Sequence, residues 1–387
     1  MKKKSLVSIV RVEDNIGDAV SRAAELIGGL SGKIKKGAKV LIKPNFIREE
    51  PSVVGTTTNF EVIKRVVELV RQVGGQPVVA EASGNQYDTE KIYELLGLRE
   101  ALDGVEVRDL DQDEIVPVKI QSATNLKEVG VARSALEADY IIGLPVLKTH
   151  MSTGTTLGMK NMMGVLPQRE KWKMHMSGLH HALVDLNRLV KPDLIIVDGI
   201  VGMEGMGPTI GSPVEMNLVL AGEDVVAVDT VGSAVMGFSV DEVKHLRLAG
   251  EAGLGVNDLS QIEIRGEALG DVSRPFKRPF GGRAILVWAQ FQYRAGTFLL
   301  DRFDYDIRPL LKKVSDLYVA KPKINPEKCV SCGLCVEACP RQALEMRQHP
   351  RIIYSQCDRC FRCMRTCPQK AYTMSRKPGW WLRLSAR

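Results

Sequence analysis

Residues 39–82 read KVLIKPNFIREEPSVVGTTTNFEVIKRVVELVRQVGGQPVVAEA. The stretch opens on Lys39–Lys43, a short strand with an apolar centre, and closes on a second strand, Pro77–Ala82. Between them Asn59–Val73 is amphipathic at helical spacing, and Gly74-Gly75 stops it. Strand, helix and strand in succession mark a layered α/β domain. Apolar runs without strict alternation suit strands covered on both faces of a parallel sheet.

The rhythm continues outward. Ser5–Val12 fits a strand. Asn15 caps a helix with apolar positions Ile16, Ala19, Val20, Ala23, Ile27 and Leu30. Further strands fit Val105–Asp109, Tyr140–Pro145, Leu194–Asp198, Asn217–Leu220 and Ile262–Ile264. Helices fit Leu179–Val190, Val225–Met236 and Val243–Ala252. The expected fold is α/β, a layered and mostly parallel sheet over residues 1–273. Residues 274–320 break the rhythm. Arg274–Arg283 reads as a linker, and Ala284–Leu300 as a helix packed on the domain or at a subunit contact. A basic, aromatic tail over 377–387 carries Trp380-Trp381-Leu382, read as a latch between domains.

All eight cysteines fall in the last fifth of the chain, as two copies of C-x2-C-x2-C-x3-C-P. The first is Cys329, Cys332, Cys335 and Cys339, before Pro340. The second is Cys357, Cys360, Cys363 and Cys367, before Pro368. A [4Fe–4S] cube needs four thiolates, and this spacing supplies them twice. Structural zinc takes paired CxxC motifs without the trailing proline. A disulfide framework does not suit a long chain whose start, MKKKSLVSIVRVED, reads as a strand rather than a signal peptide. Residues 321–376 resemble the two-cluster bacterial ferredoxins. The resemblance implies an α+β module carrying two [4Fe–4S] clusters. It also implies crossed ligation: Cys329, Cys332, Cys335 and Cys367 on one cluster, and Cys357, Cys360, Cys363 and Cys339 on the other. The implied role is one-electron transfer at low potential with a protein electron donor or acceptor.

Charge is divided unevenly. Residues 277–387 hold 22 Lys and Arg against 8 Asp and Glu, whereas residues 1–276 hold 31 against 38. Cationic surroundings favour anionic clusters, and the excess would steer an acidic partner. No aromatic-interleaved basic motif points to nucleic acid. No apolar run reaches the roughly 20 residues of a membrane span. The expected setting is cytoplasmic and reducing, and the sequence leaves the oligomeric state open.

Ligands of open α/β sheets bind beyond the carboxyl ends of the strands. Four polar segments fall there. Lys43-Pro44-Asn45 precedes Gly55-Thr56-Thr57-Thr58 at a helix start, where hydroxyls and free amides favour an anion; Thr58 is also read as the helix cap. Lys148-Thr149-His150 and Thr153-Gly154-Thr155-Thr156-Leu157-Gly158-Met159-Lys160-Asn161 form the richest loop. Lys148 and Lys160 would supply charge to a carboxylate or phosphate, and His150 would shuttle a proton. The others are Asp198-Gly199 running to Glu204, and Gly222-Glu223-Asp224 with Asp229. Asp224 reads as a helix cap; Asp198 and Asp229 are read as orienting a ligand or metal. His180-His181 cannot share one metal from adjacent helix positions, and His175, His245 and His349 carry no motif.

KVLIKPNF, GTTTNFEVI, LPVLKTHMSTGTTLGMKNMMG, PDLIIVDGIVGMEGMGPTIGSPVEMN and AGEDVVAVDTVGSAVMG, in that order, resemble the domain-of-unknown-function family numbered 362 over about residues 5–265. Members often carry a C-terminal ferredoxin-like module. The resemblance implies an iron–sulfur-binding protein of redox role without a settled reaction. The texture H-x3-G-x3-G-x-K from His150 to Lys160 more distantly resembles lactate-racemase-type domains, which bind an organonickel cofactor; the match stops there and nickel is not assigned. The leading expectation is an iron–sulfur oxidoreductase acting on a small anionic ligand. Its alternatives are an electron carrier or maturation protein, and a racemase- or ligase-like enzyme with structural clusters.

Overall fold

The computed structural model describes residues 4–48, 51–84, 87–176, 178–209, 211–279, 321–339, 341–357 and 362–375. The expected helix at Ala284–Leu300, the tryptophan tail and Cys360 lie outside the described residues. The chain divides into two units, one of residues 1–48 and 52–290, the other of 49–51 and 291–387.

In the first unit β1 (Ser5–Arg11) leads into α1 (Ile16–Leu26), whose N-cap Asn15 accepts from the Asp18 amide. The opening stretch folds as β2 (Lys39–Lys43), α2 (Phe60–Gln72) and β3 (Gln76–Glu81). Next come α3 (Thr89–Leu96), α4 (Leu98–Ala101), β4 (Glu106–Asp109) and a hairpin of β5 (Ile115–Lys119) and β6 (Glu128–Ala132). Then α5 (Arg133–Leu136), β7 (Tyr140–Gly143), β8 (Val146–His150), β9 (Gly154–Thr156) and α6 (Gly158–Asn161) follow. The unit continues through α7 (Gln168–Met176), α8 (Leu179–Leu189), β10 (Leu194–Glu204) and β11 (Ser212–Gly222). α9 (Val225–Val235), α10 (Lys244–Glu251) and β12 (Ile262–Gly266) complete the sheet and its cover.

The sheet runs β12-β1-β11-β10-β7-β2-β3-β4, with β8 pairing β10 and β9. β11 is antiparallel to both β1 and β10, and β9 to β8; the other pairs are parallel. The result is a mostly parallel, mixed sheet. Burial on both faces explains the unbroken apolar strands. Ile42 packs with Val20, Val62 and Val66 of α1 and α2, whereas its neighbour Leu41 packs with Leu183 and Leu186 of α8. Each such side chain, fully buried, contributes about 1.5–3 kcal/mol.

Two expectations change. The loop expected after Pro145 is a β-hairpin: His150 pairs with Gly154 and Lys148 with Thr156, and all five residues of β8 are buried. Asp198 is not at a strand end, because β10 continues to Glu204 against β11 through an irregularity at Gly199/Val201. In both places polar side chains and glycines interrupt the apolar pattern, while backbone pairing carries on across them.

In the second unit Lys321–Ile324 pairs antiparallel with Tyr372–Ser375. A two-residue pairing joins Leu344–Glu345 to Arg351–Ile352, and short helices span Leu334–Glu337 and Arg362–Arg365.

Candidate functional site

The two cysteine runs repeat one hydrogen bond at their last cysteines. The Ala343 amide donates to Cys339 Sγ at 3.2 Å, and the Ala371 amide to Cys367 Sγ at 3.3 Å. Each bond joins the last cysteine of a run to the residue four positions on. Cys329, Cys332 and Cys335 of the first run line one cavity together with Cys367 of the second, beside Tyr372. A cavity walled by four thiols, with an amide aimed at one sulfur, fits a thiolate-bound cluster. Cys335 and Cys363 are buried in a small apolar core with Leu344 and Tyr372, against which Cys339 and Cys367 pack.

The first unit gathers its polar groups past β2, β3, β7 and β8. Lys43 closes β2 and is 1% exposed. Its Nζ donates to Glu81 Oε2 at 2.6 Å, to Asn161 Oδ1 at 2.9 Å and to the Pro44 carbonyl at 2.7 Å. Asn161 Nδ2 returns a bond to the Lys43 carbonyl. Burial lowers the Lys43 pKa and raises that of Glu81, and the attraction between the two opposes both shifts. The three ammonium protons are thus matched by three acceptors. Lys171 of α7 donates to the carbonyls of Ala82 and Ser83 at the end of β3, and burial pushes it down to about 8.

Gly164 makes this packing fit. A Cβ there would lie 1.8 Å from Glu81 Oε1 and 2.3 Å from Lys43 Nζ. Gly164→Ala is therefore expected to cost about 1–3 kcal/mol, the range for overpacked interiors. Denaturant titration of the purified protein reads it, and a wild-type midpoint would contradict this packing.

Lys148 Nζ donates to the Thr56 carbonyl at 3.1 Å, and Asn45 Nδ2 donates to the same oxygen. Thr58 does not cap α2. Its hydroxyl donates to the Leu144 carbonyl and accepts from the Asn45 amide, while Asn59 caps the helix by accepting from the Glu61 amide. Thr57 and Thr156 are buried, and Thr56 Oγ1 is buried with no hydrogen-bond partner. Thr155 Oγ1 bonds Ser233 Oγ at 3.0 Å.

Both aspartates are buried and bound to backbone. Asp198 accepts from the amides of Asn59 and Ile200, and burial raises it to about 6. Asp229 accepts from the amides of Gly158 and Met159 at 2.7 and 2.9 Å, which caps α6; burial raises it to about 7. Asp224 caps α9 as expected. Asp229 thus fixes the turn that presents Lys160. Burial pushes Lys160 down to about 8, with Lys171 and Lys43 adding to the shift.

His150 is 4% exposed, and its Nδ1 accepts from the Ser152 amide at 3.0 Å. Burial first, then Lys160, holds its pKa well below the usual range. At neutral pH it is therefore a neutral imidazole whose proton sits on Nε2, not a group titrating near 7 as expected. His175, His180 and His245 join the same region, from α7, α8 and α10. No local motif marks them, because only packing brings these helices together.

The fold and the thiol-lined cavity define an α/β domain followed by an iron–sulfur module. The chain belongs to the family described as a domain of unknown function, DUF362, which matches residues 40–234. A 4Fe-4S binding domain matches residues 322–345, so the C-terminal module is of iron–sulfur-binding type. A thylakoid-associated protein of Synechocystis sp. is 32% identical over 247 residues, 60% of this chain and 73% of that protein. Lactate racemase apoprotein from Thermoanaerobacterium thermosaccharolyticum aligns over 62% of this chain and 58% of its own, at 12% identity and a TM-score of 0.40. This chain thus spans less than two thirds of that racemase, and so slight a likeness says nothing about function. Among the described residues no helix is long and apolar enough to cross a membrane.

Proposed function

We propose that this chain is an iron–sulfur oxidoreductase. It passes low-potential electrons, by way of two [4Fe–4S] clusters, between a protein partner and a small anion held in the α/β domain. The observation that carries this reading is the single cavity lined by three cysteines of one run and the last cysteine of the other. When bound there, a [4Fe–4S] cluster supplies one-electron transfer at a potential tuned by hydrogen bonds to sulfur. The amides of Ala343 and Ala371 are such donors. In the α/β domain Lys148 and Lys160 supply positive charge, and His150 offers a neutral Nε2–H donor. Lys43 holds Asn161 in place, and Asp229 holds the turn before Lys160. We assign the protein to a reducing, cytoplasmic setting, where the thiols stay available to iron.

Anaerobically purified protein is expected to hold about eight iron and eight sulfide per chain, from two four-iron cubes. Dithionite should produce a broad, spin-coupled EPR signal from neighbouring clusters. Stoichiometric zinc without sulfide would remove the redox reading altogether.

A further inference from the structure

Lys160 differs from the other lysines of the site. Lys43, Lys148 and Lys171 each donate to named oxygens. Among the described residues Lys160 has no hydrogen bond or ion pair. The charge of Lys160 acts on His150 of β8, His175 of α7 and His245 of α10, and His180 of α8 joins the group through His245. The rings of His180 and His245 stack, with centroids 5.9 Å apart and planes 25° from parallel. In each the Nδ1 atom is buried without a partner, and His245 is 1% exposed. The charges acting most strongly on these groups are all cationic or imidazole: Lys43, Lys148, Lys171, Lys244 and the histidines themselves. Of the acids just before α10, Glu242 is bound by Arg278 and by Ser239, and Asp241 is exposed.

The backbone points the same way. His180 and His245 lie in the first turns of α8 and α10, and neither helix has a side-chain cap. The N-terminus of α6, by contrast, is capped by Asp229. A helix N-terminus left uncapped offers amide donors and a partial positive charge, and oxyanions are its usual ligands. Two such termini, the partnerless Nδ1 of buried His245 and a half-buried ammonium without a counter-ion form one donor-rich region, in which His180 is already bonded to the Ser152 backbone. Among the described residues no three potential metal ligands are placed to share an ion. Lysine serves phosphate as a point charge, and donors from several directions suit a tetrahedral anion.

We propose that the region bounded by Lys160, His180, His245 and the N-termini of α8 and α10 binds a phosphoryl group of the substrate or cofactor. This rests on the reading of the α/β domain as an anion-binding domain, and it names the anion.

The test is calorimetric titration of the full-length, anaerobically purified protein with inorganic phosphate and, separately, with malonate. Phosphate is expected to bind. Lys160→Met should weaken it by about 10- to 200-fold, the range for one charge-assisted hydrogen bond. His245→Gln should weaken it by roughly 10-fold. Lys160→Met should unfold at the wild-type temperature without phosphate, because its side chain holds nothing in place. Malonate binding that depends on Lys160, with no phosphate binding, would overturn the phosphoryl assignment and leave the anion reading intact. Failure of both anions to bind would overturn both. Phosphate binding indifferent to Lys160→Met and His245→Gln would place the anion elsewhere and overturn the site.

Discussion

Lys43→Met is expected to lower the unfolding free energy of the α/β domain by about 3–5 kcal/mol, the cost of removing one partner from a buried ion pair. Lys43 and Glu81 are both almost wholly buried, 1% and 5% exposed in their side chains. Removing the ammonium leaves Glu81 with one amide donor, from Phe46, and leaves the Asn161 and Pro44 oxygens without theirs. Glu81 then escapes its isolation by taking up a proton. Its pKa is already raised by burial, and losing Lys43 removes the largest opposing influence. A carboxyl raised in the folded state binds more protons there than in the unfolded chain. The variant's stability is therefore greatest below the unfolded value and is lost as pH rises through the raised folded value. The deficit against wild type should shrink as the buffer is taken from pH 8 to pH 5. Lys43→Met combined with Glu81→Gln should be more stable at pH 8 than Lys43→Met alone, because no buried charge remains. Denaturant midpoints across that range measure all three proteins. A pH-independent deficit, or a double variant less stable than the single, would show that the pair does not act as a coupled charge.

Cys367→Ala is expected to remove about half of the bound iron, and the half lost should belong to the first cysteine run. Cys367 lines the cavity of Cys329, Cys332 and Cys335, although it stands 32 residues beyond Cys335. Cys339→Ala should make the reciprocal cut, sparing that cluster and damaging the one held by Cys357, Cys360 and Cys363. Cys335→Ala, within the first run, should reproduce the spectrum of Cys367→Ala rather than that of Cys339→Ala. Mössbauer spectra of the three variants decide the matter, with iron content as the measure of loss. If Cys335→Ala instead matches Cys339→Ala, each run binds its own cluster and the crossed arrangement is wrong. Half the cluster content is a larger change than any single lysine substitution is expected to make, because it would break the proposed route for electrons.

The two units were legible in the sequence to different depths. Cysteine spacing is itself ligand geometry, so the iron–sulfur class could be read from a dozen residues. Helices and strands were legible wherever burial imposes a period: Val62, Val66 and Val70 on α2, or the unbroken run of β2. Caps were legible at Asn15 and Asp224, since a cap bonds amides only two or three residues away. The hairpin of β8 and β9 was not, because Lys148, Thr149 and His150 look like loop residues and are buried only by what packs over them. Partner choice was illegible for the same reason. Lys43 was visible as a lysine at a strand end, but Glu81 and Asn161 lie 38 and 118 residues further along the chain. Sequence alone thus determined the layered α/β domain, the module that follows it and the class of metal centre, all encoded in short-range period and spacing. Tertiary structure decided that Lys43 meets a carboxylate while Lys171 meets backbone carbonyls, and it alone stacked His180 on His245. Charge in a protein interior is set by whatever the fold brings within a few ångströms, and chain separation carries no record of that.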